Sequence, residues 1–424
     1  MADRKTSGRG KAAKPRAATA QPARARAKPI VESSAPAPAS DTEAAAPPQA
    51  APGTLAPQPG AQPAAEQQQQ TTISTSRGFV DFLATNRLSL ALTSYQTGQL
   101  MLIGPLLDGR LSVFQRNFVR AMGLVATPQR LYLSTIAQIW RLENVLGPGQ
   151  LANQQSLHYE RLYVPRMSHT TGDIDAHELA VDGRDQLIFV NTKYSCLATL
   201  DTVHSFKPVW KPRFITKLAP EDRCHLNGLA MKDGAAKYVT AVSRCDVVDG
   251  WRERRHEGGI LIDVQTDRVV TEDLSMPHSP RLNAGVLWVL DSGRGYLCRV
   301  EEKSGKAEPV AFCPGFARGL SFWRGYALVA TSLPRDGAFK GLELEDNVKA
   351  RDGEPRCGAY IIDTRTGDIM HWIRFEGAVR ELFDACFIPG VRAPMCVGLG
   401  NPEMRTLITF AGEPSGSPAE TVVQ

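Results

Sequence analysis

The sequence predicts an all-β protein, a single six-bladed β-propeller over residues 72–410, preceded by a disordered Ala/Pro-rich tail. Three observations support this fold class. Runs of β-branched, aromatic and aliphatic residues are short and are separated by Gly, Asp and Pro, which is typical of strands. A leucine-containing motif returns about every 52 residues. The residues between its copies contain further strand-like runs, as the four-stranded blades of a propeller require.

The tail comprises residues 1–71, of which the first 70 hold 21 Ala and 11 Pro and no aromatic residue or Cys. Such a segment buries too little apolar surface to offset chain entropy, so we expect it to be disordered, as we expect of the C-terminal residues 411–424. The same 70 residues carry 9 Lys/Arg and 5 Asp/Glu, whereas the remainder is nearly neutral. A basic nucleic-acid-binding body is therefore excluded, and only the tail is left for a weak contact with nucleic acid.

Targeting signals and cysteine usage indicate a cytoplasmic protein. The charged N-terminus is not followed by the apolar run of a secretory signal peptide. No window of about 20 residues is apolar enough to span a bilayer, so we expect no membrane partner. The eight cysteines form no CxxC pair, and several lie in apolar runs. We interpret them as buried thiols in a reducing compartment.

The repeated element, here called the leucine motif, is usually a polar residue, then Gly or another polar residue, then Leu, with a strand-like run some residues later. Its six leucines are Leu124, Leu179, Leu229, Leu282, Leu320 and Leu382. Because each blade buries its faces only against its neighbours, six copies must close into a ring. We expect residues 72–118 to supply strands that close this ring and residues 79–83 to form a short lead-in helix. The alternatives are a two-sheet sandwich and an irregular α+β domain.

Residues at the starts of the innermost strands are the candidate site. In a propeller these positions face the mouth of the central channel, so side chains far apart in sequence converge there and form a concave binding site. In an extended chain, Asp175 and His177 share one face. The candidate ligand-binding residues are His177, Asn227, His278, Arg318, Glu381, Asp175, Arg120, Arg380 and His225. The basic loop 246–258 either gates this mouth, binds an acidic ligand or is simply solvated.

One interpretation of the ring is a single divalent metal ion as cofactor. His177, Asn227 and His278, together with a carboxylate from Glu381, Asp175 or Glu178, would offer mixed nitrogen and oxygen ligands. That set suits zinc, manganese or iron better than calcium. A metal ion there would activate water or polarise a carbonyl group, so the site would be hydrolytic.

Two further interpretations need no metal ion. Arg318 with Arg120 or Arg380 could bind a carboxylate, phosphate or sulfate through paired hydrogen bonds, with the histidines as donors or acceptors. Alternatively, the polar ring is structural and only holds the blades together.

Several segments resemble a known family. These are residues 205–212 (SFKPVWKP), 221–230 (EDRCHLNGLA), 276–281 (MPHSPR) and 318–320 (RGL). Together they resemble an uncharacterised bacterial family of conserved hypothetical proteins, a domain of unknown function, from about residue 72 to about 398. The resemblance implies no activity.

A more distant resemblance is carried by residues 227–234 (NGLAMKDG) and 238–241 (YVTA). They are similar to a phrase in six-bladed propellers of the gluconolactonase and strictosidine-synthase type. There the Asn binds a divalent metal ion on the ring axis, which implies this role for Asn227. A second metal ligand of those proteins is an Asp, and this sequence places His278 at the matching position.

The leading hypothesis is a propeller that binds a small polar molecule, anionic or sugar-like, at its axial mouth. The alternatives are a metal-dependent hydrolase of the lactonase type and a scaffold that binds protein partners on its rim. Whether the protein is an enzyme stays open. The sequence contains no GxSxG, GxxxxGK[ST] or HExxH motif, and no GxGxxG that opens a helix.

Overall fold

The computed structural model describes residues 70–154, 157–334 and 341–411. The predicted disordered tails, 1–71 and 411–424, lie almost wholly outside the described residues. The described chain contains two α-helices, α1 (Phe79–Asn86) and α2 (Glu343–Lys349), and two short 3-10 helices, Arg252–Arg254 and Pro402–Arg405. The predicted lead-in helix is therefore present as α1 and is longer than expected. Neither α-helix has the length and apolar character needed to cross a membrane.

Strands dominate the described residues. In chain order they are β1 (Thr72–Thr75), β2 (Leu88–Ser94), β3 (Gln99–Pro105), β4 (Leu111–Asn117), β5 (Leu124–Ala126), β6 (Arg130–Ser134), β7 (Gln138–Asn144), β8 (Ala152–Gln154), β9 (Leu157–Tyr159), β10 (Arg161–Thr170), β11 (Ala176–Val181), β12 (Leu187–Asn191), β13 (Cys196–Thr199), β14 (Lys207–Trp210), β15 (Leu226–Lys232), β16 (Ala235–Ala241), β17 (Gly259–Asp263), β18 (Arg268–Leu274), β19 (Pro277–Asn283), β20 (Val286–Asp291), β21 (Tyr296–Glu301), β22 (Lys306–Phe312), β23 (Phe316–Trp323), β24 (Tyr326–Ser332), β25 (Cys357–Asp363), β26 (Ile369–Glu376), β27 (Ala385–Pro389) and β28 (Pro394–Cys396).

Apart from the two-stranded sheet of β8 and β9, the described strands form six sheets, which are the blades of a six-bladed β-propeller, as the sequence predicts. From the innermost strand outward, blade 1 is β27-β2-β3-β4 and blade 2 is β5-β6-β7-β10. Blades 3, 4 and 5 are β11 to β14, β15 to β18 and β19 to β22, and blade 6 is β23 to β26. Each inner strand contacts the inner strand of the next blade, and β27 contacts both β23 and β5, so the ring is closed.

Both ends of the propeller chain take part in closing the ring. The late strand β27 pairs antiparallel with the early strand β2, from Leu88 with Pro389 to Leu92 with Ala385. Strand β1 adds a fifth, outermost strand to blade 6 by pairing with β26. Strand β28 adds to blade 2 by pairing in parallel with β10. Three pairings between residues distant in sequence therefore stabilise the closed ring.

Apolar side chains fill the spaces between neighbouring blades. The largest buried cluster includes Leu100, Leu102, Leu131 and Leu133, and so joins blade 1 to blade 2. Similar clusters lie between the other blades, because alternate residues of each strand point to opposite faces of its sheet. Each blade is thus stabilised mainly by its two neighbours.

Three glycines let the inner strands approach closely around the axis. Gly123, Gly228 and Gly319 belong to blades 2, 4 and 6. An added Cβ would lie 2.3 Å from the His177 carbonyl oxygen at Gly123, 2.3 Å from Pro280 Cδ at Gly228 and 2.4 Å from the Ala385 nitrogen at Gly319. These distances are far shorter than van der Waals contact. Any side chain at these positions would therefore push the next inner strand away.

The other three blades carry a polar residue at the corresponding position, and each bonds to the backbone of the next inner strand. The Leu229 N–H donates to Glu178 (2.6 Å), the Leu124 N–H donates to Asp384 (2.8 Å), and the Ser279 hydroxyl donates to the Arg318 carbonyl oxygen. Glycine and a polar residue thus alternate around the ring, and every junction between inner strands uses one of them.

The last copy of the leucine motif was assigned in the wrong register. Asp384 bonds to blade 2 as Glu178 bonds to blade 4, so Phe383 occupies the position that His177 occupies in blade 3. The motif containing Glu381 and Leu382 lies just before the inner strand β27. The misassignment arose because this blade has Ala385, not leucine, at the motif position.

The close packing at Gly319 predicts a specific loss of stability. Gly319→Ala should lower the free energy of unfolding by about 1–3 kcal/mol, because the new methyl group overlaps the backbone of Asp384 and Ala385. Gly325→Ala is the control, since a Cβ there meets no atom within 4 Å. Urea denaturation of both variants measures the effect. Equal stabilities would contradict the steric role given to Gly319.

Candidate functional site

A cavity of about 400 Å³ opens at the end of the ring axis where the inner strands begin. Every blade contributes one lining residue from the start of its inner strand: Phe383, Met122, His177, His225, Met276 and Arg318. Loops between strands add Tyr95 and Trp251. The radial convergence expected from the motif spacing therefore produces one concave site, large enough for a small molecule.

The predicted candidates separate into three groups. Arg120, Asp175, His177, His225 and Arg318 line the cavity. Glu381 is buried and accepts a hydrogen bond from the hydroxyl group of Tyr95, a lining residue. The third group does not face the cavity and consists of His278, Asn227 and Arg380.

These three residues lie elsewhere for different reasons. His278 is buried, and the lining residue of its blade is Met276. Asn227 accepts a hydrogen bond from Thr240 in its own blade at 2.7 Å. Arg380 is exposed and lies along a separate groove with Arg356. The structure therefore does not bring Arg380 and Asn227 together with the lining residues.

Several lining residues adopt a left-handed backbone conformation, which non-glycine residues rarely adopt. Their φ angles are 57° at Arg120, 54° at Asp175, 41° at Asp222, 49° at His225 and 47° at Met276. Each such residue costs of order 1 kcal/mol and is typical of functional sites. Asp175 is therefore not extended, so strand alternation does not account for its placement beside His177, although both residues line the cavity.

His177 is held in one tautomer. Its Nδ1 lies 3.0 Å from the Asp175 carbonyl oxygen, which can only accept a hydrogen bond. The Thr192 hydroxyl, 2.8 Å from Nδ1, donates to the Leu226 carbonyl oxygen at 2.6 Å and so accepts from the ring. Nδ1 therefore carries the proton. Burial lowers the pKa of His177 to about 4, so the ring is neutral at pH 7 and Nε2 keeps its lone pair.

His278 has the same arrangement in blade 5. Its Nδ1 donates to the Met276 carbonyl oxygen at 2.8 Å and lies 3.1 Å from the Ser292 hydroxyl. Burial, with repulsion from the nearby Arg318, holds the pKa of His278 well below its usual value. Two blades thus use one device to fix a neutral imidazole near the axis.

Asp222, His225 and Trp251 form a connected group at the rim. Asp222 Oδ2 lies 2.8 Å from His225 Nδ1 and accepts a hydrogen bond from Trp251 Nε1 at 2.9 Å. Burial raises the pKa of Asp222, but the attraction of His225 outweighs it and holds the pKa below its usual value. The carboxylate is thus ionised, so Nδ1 of His225 donates to it. The indole stacks on the imidazole with ring centroids 4.2 Å apart.

Arg318 brings a positive charge to the axis. Its guanidinium carbon lies 5.0 Å from the ring centroid of Tyr95, 5.2 Å from that of Phe316 and 5.3 Å from that of Phe383. Such cation–π contacts stabilise a desolvated guanidinium. Burial lowers the pKa of Arg318 to about 10, and attraction by Asp175 counteracts part of this shift. Arg318 therefore stays charged at neutral pH.

The charged side chains near Arg120 and Asp175 form ion pairs with one another. Arg120 forms ion pairs with Asp175 and with Asp173, the latter at 3.4 Å. Lys193 also pairs with Asp173 at 2.7 Å. Burial raises the pKa of Glu381 to about 7, so this carboxyl group is about half protonated at neutral pH. The acidic groups near the cavity are thus either paired with cations or partly neutral.

The metal interpretation can be tested against the donor atoms. Across residues 70–154, 157–334 and 341–411, no three His, Cys, Asp or Glu side chains are grouped so as to hold a metal ion. The amide oxygen of Asn227 is occupied by the hydroxyl group of Thr240. The proposed set of His177, Asn227 and His278 therefore does not form a metal-binding geometry in this part of the chain.

Sequence reasoning missed several lining residues. Asp222 and Tyr95 were not selected, and Phe383 was missed because of the register error. Trp251, Arg252 and Arg255 belong to the basic loop 246–258, for which the sequence left open a gate, a site for an acidic ligand or a solvated loop. A signal for Asp222 is its place in segment 221–230, three residues before the predicted site residue His225.

Burial of neutral His177 predicts a pH dependence of stability. Below pH 6.5 the unfolded chain binds a proton at this residue, whereas the folded protein does so only near its pKa of about 4. Wild-type stability should therefore fall relative to His177→Phe as the pH drops from 6.5 to 4, by up to about 1.4 kcal/mol per pH unit. Denaturant titrations of both proteins at several pH values measure this. A constant difference would contradict the buried neutral state.

Comparison with known proteins identifies a family and finds similar solved structures at low sequence identity. No curated protein matches the chain. A chain of the nidogen/laminin complex is 11% identical, with 72% of this chain and 99% of that chain covered at a TM-score of 0.44. A gluconolactonase from Xanthomonas campestris is 12% identical, with coverages of 73% and 89% and a TM-score of 0.38. Residues 77–397 match the profile described as a domain of unknown function, DUF4915, so the chain belongs to that family.

Proposed function

We propose that the axial cavity binds a small anion. The observation that carries this proposal is the charge of the lining. Among the described residues, four arginines line the cavity, and the only carboxylates are those of Asp175 and Asp222. Both carboxylates already have partners, Arg120 for Asp175 and His225 with Trp251 for Asp222.

Arg318 is the central element of the proposed site. Arg318 is half-buried among aromatic rings at the axis, where the lowered dielectric constant strengthens its attraction for an anion. A guanidinium group can bind a carboxylate or phosphate through two parallel hydrogen bonds. Arg252 and Arg255 of loop 246–258 also line the cavity and would attract the same ligand.

The two alternative functions receive less support. A hydrolase of the lactonase type would need a metal centre, and the described residues do not provide the ligand geometry. A scaffold that uses only its rim would leave the channel mouth featureless, whereas this mouth holds arginines, histidines and strained backbone. We place the protein in the cytoplasm, since all eight cysteines are free thiols and seven of them are buried.

Removal of Arg318 should weaken anion binding. Citrate, succinate and inorganic phosphate are suitable probes, and isothermal titration calorimetry at low ionic strength measures their affinities. For the tightest probe, Arg318→Ala should weaken binding by at least about tenfold, since a charge-assisted hydrogen bond contributes about 1.5–3 kcal/mol. Arg380→Ala is the matched control, because that arginine is exposed outside the cavity. Equal losses in both variants, or none, would refute the assignment.

Anion binding should also be independent of metal ions. Dialysis against EDTA should leave the affinity for the tightest probe unchanged, because arginine side chains hold the anion. A loss of binding that returns when zinc, manganese or iron is added would instead favour the metal-dependent hydrolase.

A further inference from the structure

We propose that the cavity selects anions that carry a hydroxyl group over otherwise identical anions without one. This inference rests on the proposed function, since it assigns a ligand class to the same site. It follows from the hydrogen-bonding character of the two imidazole rings that share the cavity with Arg318.

The first ring, His177, presents an acceptor. Its Nδ1 proton is used by the Asp175 carbonyl oxygen and the Thr192 hydroxyl group. The hydroxyl group of Thr192 donates to the Leu226 carbonyl oxygen, so it has no proton left to offer the ring. Within the described residues, Nε2 makes no hydrogen bond. This atom can therefore only accept one from a ligand or from water.

The second ring, His225, also presents Nε2 as a hydrogen-bond acceptor in its neutral form. Its Nδ1 donates to the carboxylate of Asp222, which leaves the lone pair on Nε2. The stacking of Trp251 and the hydrogen bond from its indole to Asp222 hold ring and carboxylate in place. The centroids of the His177 and His225 rings are 5.0 Å apart, so one small molecule can reach both.

The donors and acceptors of the lining determine which hydrogen-bonding groups a ligand must carry. Arg318 and the rim arginines supply donors, which the oxygens of a carboxylate or phosphate satisfy. His177 supplies an acceptor, as does His225 in its neutral form, and an acceptor facing an ionised oxygen loses its hydrogen bond to water without replacement. A ligand hydroxyl group donates to such a nitrogen and removes this loss. The site is therefore complementary to a hydroxylated anion.

Two pairs of probes differ only in this group: citrate against tricarballylate, and malate against succinate. Calorimetry at pH 7.5 should show that the wild-type protein binds the hydroxylated member of at least one pair about tenfold or more tightly, as expected for one or two hydrogen bonds. His177→Phe should reduce this ratio to about threefold or less while anion binding remains. Phenylalanine fits here, because Phe383 fills the equivalent position in blade 1. Arg380→Ala should keep the wild-type ratio.

The outcomes separate the two proposals. Equal affinities within both pairs in the wild-type protein would overturn the hydroxyl preference and leave anion binding intact. A wild-type preference that persists in a folded His177→Phe variant would overturn the role of this ring. If neither these four anions nor inorganic phosphate binds, the proposed function fails and the inference fails with it. The wild-type comparison needs no variant, so a misfolded His177→Phe protein would not prevent the test.

Discussion

The close approach of six inner strands around one axis is the constraint on which the rest of the structure depends. Space for it comes from Gly123, Gly228 and Gly319, where a side chain would collide with the next strand. Hydrogen bonds hold neighbouring inner strands together. They join Glu178, Ser279 and Asp384 to the backbone of the next inner strand. Alternating glycine and polar residues gives the inner strands both close packing and hydrogen bonds. Glycine in every blade would leave no polar contacts between the strands, and a polar residue in every blade would make the ring too wide.

The chemistry of the cavity follows from this packing. Because the strands meet closely, side chains at their starts are removed from water, and His177 and His278 stay neutral at physiological pH. The same desolvation leaves Arg318 as a charged group among aromatic rings. Below the cavity, burial raises the pKa of Asp384 to about 7, and the neighbouring charge of Glu178 adds to this shift. The polar character of the site is thus a product of the ring and not of isolated motifs.

The sequence predicted the propeller and about half of the lining because the inner strands must repeat whenever blades repeat. The prediction of lining residues was wrong where the backbone departs from the regular alternation of side chains along a strand. A β-bulge between Leu226 and Gly228 interrupts the register of β15, and the side chain of Asn227 bonds to Thr240. Blade 1 has Ala385 in place of the motif leucine, which concealed Phe383. Asp222 and Trp251 reach the cavity through turns whose shapes depend on tertiary contacts, and a single sequence does not encode such contacts in a visible pattern.

The pairing of β27 with β2 also has a consequence for biosynthesis. Strands β2 to β4 leave the ribosome early, yet blade 1 has no inner strand until almost the whole propeller has been translated. Until then the hydrogen-bonding edge of β2 is open, and unpaired edges invite association with other chains. Nascent chains would thus be vulnerable to aggregation for most of their synthesis time, and a ribosome-associated chaperone that shields this edge would raise the yield of native protein.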